Sequence, residues 1–110
     1  VLRQAEAQPL AEDEGRYVNY PLFPFDDEHL FETYRIVIEP RGHLEAQPHM
    51  RGTEEYITVF QGTAEIGAGE EVHRLNAGDS IRFPADQPHR YANAGDEPVH
   101  LSMLIYYDPV

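Results

Sequence analysis

From Tyr17 onward, short runs of β-branched and aromatic residues are broken by Gly, Pro, Asn and Asp at intervals of roughly ten residues. This pattern predicts strands at 16–21, 31–39, 43–49, 54–61, 62–67, 71–75, 79–83, 89–92 and 99–107, with Gly67-Ala68-Gly69 as a hairpin tip. No stretch carries the three-to-four-residue apolar spacing of an amphipathic helix. The expectation is an all-β domain built mostly from antiparallel hairpins, a sandwich or a barrel.

Side chains alternate between the two faces of a strand, so parity assigns neighbours. Glu55 shares a face with Ile57 and Val59, which turns its carboxylate toward the interior. His89 shares one with Tyr91 and Asn93, while Ile81 and Phe83 supply apolar wall from the strand before. For the last strand two faces remain open: Leu101, Met103 and Ile105, or Ser102, Leu104 and Tyr106. Residues 1–14 are rich in Ala, Gln and acids and poor in strand formers, and read as a linker or arm ahead of a domain at 15–110. A first residue other than Met suggests a piece of a longer polypeptide or a processed chain.

With 110 residues the chain has the length of one domain, able to bury a single core without crosslinks. It contains no Cys, which excludes disulfides, thiolate metal sites and a Cys nucleophile. No apolar run is long enough to span a membrane and no signal peptide opens the chain, so the expected location is the cytoplasm. The net charge is −12, from twenty acids against eight bases, every one of them Arg. Such a surface repels phosphate backbones, so this domain is not expected to touch nucleic acid itself.

The candidate chemistry lies in two spaced clusters, His49-x-Arg51-x3-Glu55-x6-Gly62 and Gly78-x5-Pro84-x4-His89-x3-Asn93. They resemble the two motifs of the cupin superfamily, whose fold is a double-stranded β-helix, or jelly-roll barrel, and whose motif His and Glu residues bind a metal. The resemblance implies that His49, Glu55 and His89 are metal ligands. Arg51 stands in place of a further His, and a guanidinium cannot donate to a metal. Asp86 replaces a motif Gly, and Gly42 lies one residue further from His49 than the pattern has it. Two states follow: a metal-free pocket, or one divalent ion (Fe, Mn, Ni or Zn) on three protein ligands. Gly62, Gly78, Pro84 and Asn93 read as turn and cap residues without chemistry.

Gly52, Glu54, Glu55, Gly62, Gly78, Asp79, Ser80, Ile81, Phe83, Pro88, His89 and Asn93 further resemble the cupin sensor half of bacterial helix-turn-helix (XRE-type) regulators, over about Phe31 to Tyr107. That likeness implies a small-molecule effector and a homodimer, with DNA contact made by another part of the polypeptide. The candidate pocket comprises Arg51, Tyr34, Tyr91, Phe83 and Met103, with Arg51 placed to pair with a carboxylate or phosphate or, internally, with Glu54 or Glu55. The alternative is a metal-dependent cupin enzyme of dioxygenase or isomerase type, with Tyr34, Tyr91 or Glu54 as acid or base. A third class is a dimerisation module without ligand, paired through the apolar Leu22-Phe23-Pro24-Phe25.

Overall fold

The computed structural model describes residues 1–109. Among them run β1 (Leu10–Glu12), β2 (Tyr17–Phe23), β3 (Phe31–Ile38), β4 (His43–Ala46), β5 (Glu54–Gln61), β6 (Ala64–Ala68), β7 (Glu71–Leu75), β8 (Ser80–Pro84), β9 (His89–Asn93) and β10 (Val99–Tyr106). A six-stranded sheet has the order β1-β2-β3-β10-β5-β8 and a four-stranded sheet the order β4-β9-β6-β7. Every pairing is antiparallel. The inward side chains of both sheets merge into one core cluster, the arrangement of a jelly-roll barrel.

The alternation of β10 resolves the open face. Val99, Leu101, Met103 and Ile105 are buried, and His100, Ser102, Leu104 and Tyr106 turn away. Each such aliphatic side chain contributes about 1.5–3 kcal/mol on leaving water, which is why one residue of register slip is not tolerated. β10 also sits centrally, paired along its length with β3 on one side and β5 on the other. Ile57 and Val59 of β5 and Ile36 and Ile38 of β3 complete this side of the core, and Ala64 and Ile66 of β6 face them. Gly62 turns the chain between β5 and β6 at φ +81, where a Cβ would come within 2.7 Å of the Pro98 carbonyl oxygen.

Several boundaries differ from the sequence expectation, each for a local reason. The third expected strand stops at Ala46 rather than 49. Pro48 has no N–H for a ladder, and the His49 N–H instead donates to the Ala85 carbonyl at 2.9 Å. The hairpin tip is Gly69-Glu70 rather than 67–69, since Ala68 pairs with Glu71 and Gly69 takes φ +62 at the first loop position. Residues 62–63 belong to the turn before β6, and β2 begins at Tyr17 and runs to Phe23. Within residues 1–14, Leu10–Glu12 pairs with β2 although all three residues are exposed. A strand held by its backbone ladder alone leaves no hydrophobic alternation to read. Among the described residues no helix is long and apolar enough to cross a membrane.

Candidate functional site

The inner face of β5 carries Glu55 into the barrel, where it is fully buried. Opposite stands His89, the first residue of β9, and beside it His49 on the loop after β4. Two loops bring these residues together. The Ala85 N–H donates to the Thr53 carbonyl at 2.8 Å, His49 N–H to the Ala85 carbonyl, and Gly52 N–H to Asp86 Oδ2 at 3.0 Å. Asp86, standing where the motif has Gly, therefore ties the His49 loop to the His89 loop. Asn93 braces the far end of β9, donating through Nδ2 to the carbonyls of Ile38 and Glu97 at 2.9 and 2.8 Å.

Around Glu55 the contacts are short. His49 Nε2 lies 3.2 Å and His89 Nε2 3.1 Å from Glu55 Oε2, and the Tyr91 hydroxyl donates to Oε1 at 2.6 Å. One donor atom from each of His49, Glu55 and His89 lies within 4.8 Å of the others. His89 Nδ1 sits 2.8 Å from the Gln87 carbonyl, an acceptor only, so Nδ1 carries the proton in the neutral ring. Its Nε2 is then a lone pair, buried, near Oε2 but off the line that a hydrogen bond needs, and without a bonding partner. An orphaned imidazole lone pair beside a carboxylate suits a cation held between them, and the carbonyl behind the ring is the outer support that metal-bound His residues use. The three residues thus fit a divalent ion bound by two His and one Glu with positions left open.

Electrostatics follow the same geometry. Burial works to raise the Glu55 carboxyl, but contacts from His49, His89 and Tyr91 outweigh it and hold the group down at about 2. Burial works to lower His89, and the Glu55 carboxylate with the Gln87 carbonyl outweighs it, so His89 titrates above its ordinary value. Tyr91 is raised by burial and by the negative charge of Glu55. The Phe83 ring closes one side of His89 at 5.7 Å between ring centres.

Arg51 is exposed and is not among the partners of Glu55, whose contacts are His49, His89 and Tyr91; Glu54 lies 4.0 Å from Arg82. The internal ion pair expected for Arg51 is therefore replaced by these contacts. Arg51 instead lines a cavity of about 470 Å³ at the barrel mouth, with Phe25, Leu30, Glu32, Met50, Thr53 and Tyr107 among its walls. Tyr107 connects this cavity to the triad, its ring edge-on to His49 at 6.5 Å and its hydroxyl donating to Glu32 Oε1 at 2.5 Å. Of the other expected pocket residues, Tyr34 lines a separate cavity beneath residues 2–10. Tyr91, Phe83 and Met103 are buried in the core around Glu55. The five residues do not line one cavity. Glu32, Thr53 and Tyr107 were not singled out; Glu32 shares the inward parity of Tyr34 and Ile36, the one signal that pointed to it.

Residues 34–106 match the cupin domain family. The HTH-type transcriptional regulator SutR of Escherichia coli is 36% identical over 86 residues, 78% of this chain and 48% of that protein, so the chain spans about half the length of this curated relative. The crystal structure of the cupin domain of an XRE family transcriptional regulator from Enterobacter cloacae superposes with a TM-score of 0.80 at 34% identity, covering 84% of this chain and 98% of that one. An HTH_3 family transcriptional regulator from Vibrio cholerae gives 0.81 at 30% identity, over 87% of this chain and 53% of its own. With two motif clusters converging inside a jelly-roll barrel and a family match spanning β3 to β10, this chain belongs to the cupin domain family.

Proposed function

We propose that this chain is the effector-sensing domain of a cytoplasmic transcriptional regulator, which binds a small molecule at the barrel mouth and pairs with a second copy. The residues ahead of β1 serve as the arm joining it to a DNA-binding part of the same polypeptide. The observation that carries this reading is the likeness, at 34% identity, to a regulator's cupin domain that this chain covers almost from end to end. The net charge of −12 suits a domain that leaves DNA contact to another part. His49, Glu55 and His89 would hold a divalent ion, which when bound would supply a Lewis acid at the base of the site. Around it Tyr91 and Gln87 orient the ligands, Phe83 excludes water, and Arg51 stands at the entrance.

A second reading, a metal-dependent enzyme, is favoured by the open positions that two His and one Glu leave. One experiment separates the two. The purified chain is analysed for bound metal and then heated with metals and a panel of small metabolites, since whatever binds only the folded state raises its melting temperature. Stabilisation by a metabolite recovered unchanged supports sensing, whereas its conversion supports the enzyme. Sedimentation as a monomer at all concentrations would remove the dimer from the proposal.

A further inference from the structure

We propose that the mouth cavity is built for a zwitterion, specifically an α-amino acid with an apolar side chain, its carboxylate held by Arg51 and its ammonium by Glu32. The assignment rests on the sensor reading above and names the chemical class of its effector.

The cavity's volume of about 470 Å³ falls in the lower half of the range of small-molecule sites. Phe25, Leu30, Met50 and Tyr107 make its walls largely apolar, and two of these are unusually exposed for their type, Met50 at 79% and Phe25 at 43%. Large apolar side chains left in water around a concavity are what a ligand's own apolar body would cover. The Phe25 ring already stands edge-on to Tyr107 at 5.4 Å between centres, forming a corner for a side chain to fill.

Besides the Tyr107 hydroxyl, one cation, two carboxylates and one neutral hydroxyl interrupt this surface: Arg51, Glu32 and Asp108, and Thr53. Arg51 presents a planar fork suited to a carboxylate. Glu32 accepts a hydrogen bond from the Tyr107 hydroxyl, so its charge is positioned in advance. Thr53 is 1% exposed, and its Oγ1 has no hydrogen-bond partner. An unpartnered buried hydroxyl is destabilising by itself, and its place in the cavity wall suits a ligand oxygen or ammonium. Asp108, at the exposed rim, is already engaged within the protein. A simple carboxylic acid would leave Glu32 facing apolar surface, and a simple amine would leave Arg51 unanswered. A molecule carrying both charges on one carbon, as an α-amino acid does, offers a partner to each.

The test uses three probes with similar apolar tails: L-norleucine, hexanoate and hexylammonium. Calorimetry and thermal shift on the whole chain should show norleucine binding, with each half-charged probe weaker by about tenfold or more, the worth of one charge-assisted contact. Arg51→Met, at an exposed position with no hydrogen bond or ion pair among the described residues, should weaken norleucine to the level of hexylammonium. Glu32→Gln should weaken it to that of hexanoate. Thr53→Val should reduce affinity while leaving the fold intact. Equal binding of hexanoate and norleucine would overturn the role of Glu32, and norleucine binding unchanged in Arg51→Met would overturn the assignment. Should norleucine and the common apolar amino acids fail while another metabolite stabilises the chain, the zwitterion is rejected and the sensor reading stands.

Discussion

The Glu55 centre and the mouth cavity meet at Tyr107 and at the loop that carries both His49 and Arg51, yet they hold their charged groups differently. At the centre, Glu55 is fully buried with His49, His89 and Tyr91 close around its carboxylate, and the unbonded His89 Nε2 is the atom that a cation would satisfy. At the mouth, Arg51 projects into solvent and Thr53 keeps a hydroxyl unbonded. A charge enclosed by partners builds a rigid site, and uncompensated polarity leaves bonding capacity for something else. The first arrangement fixes the geometry of the barrel end, and the second is where a small molecule changes the energy of the domain.

Perturbing the centre should have the largest effect. Glu55→Ala strips two His residues and Tyr91 of their common partner and should lower stability by about 3–5 kcal/mol, as breaking a buried ion pair does, read from the denaturant midpoint. The same change should abolish binding of any divalent ion. Tyr91→Phe removes one donor from Oε1 and should lower stability by about 1–2 kcal/mol. If both variants unfold at the parent's midpoint, the centre is not what holds this end of the barrel.

The pH profile sharpens the comparison further, because the two halves of the centre act in opposite senses. Glu55 is depressed in the folded chain, from 4.5 to about 2, so its stabilisation is present above 4.5 and is lost as pH falls toward 2. His89 is raised above 6.5, so its contribution is complete below 6.5 and fades as pH rises through the folded value. Metal-free chain should therefore be most stable between these limits, and Glu55→Gln should flatten both arms of the curve. At the mouth the effects are smaller. Asp86→Ala frees the Gly52 N–H at an exposed position and should lower stability by about 0.5–1 kcal/mol. Thr53→Val should raise it by about 1 kcal/mol, because a methyl replaces a hydroxyl that has no partner. A loss of stability in Thr53→Val would mean that the hydroxyl is already satisfied and that the mouth holds its polar groups as the centre does.

How much of this could be read from residues alone depends on the kind of order involved. β5 and β10 were legible because burial on one face writes a two-residue period into the chain, and that same period turned Glu55 inward. The convergence of His49, Glu55 and His89 followed from motif spacing. Depth along the barrel was not legible. Parity puts Tyr34, Phe83, Tyr91 and Met103 on inward faces but does not say which of them reach the mouth, and Met103 and Phe83 lie deep in the core while Thr53 reaches the cavity. The fate of Arg51 was equally hidden, because a long side chain on a loop answers to solvent rather than to strand period. β1 left no trace because its ladder needs only backbone.

The position of β10 bears on how the domain comes into being during synthesis. Of the strands of this barrel, β10 comes latest in chain order yet occupies the middle of the larger sheet, with β3 and β5 on its two edges. Until β10 has cleared the ribosome, nothing joins the β1-β2-β3 half of this sheet to the β5-β8 half, and their inward Ile and Val residues stay open to solvent or to chaperones. Closure must then come in one late, long-range step rather than hairpin by hairpin. A ribosome stalled before β10 should hold a protease-sensitive chain, and release of the last eight residues of that strand should convert it at once.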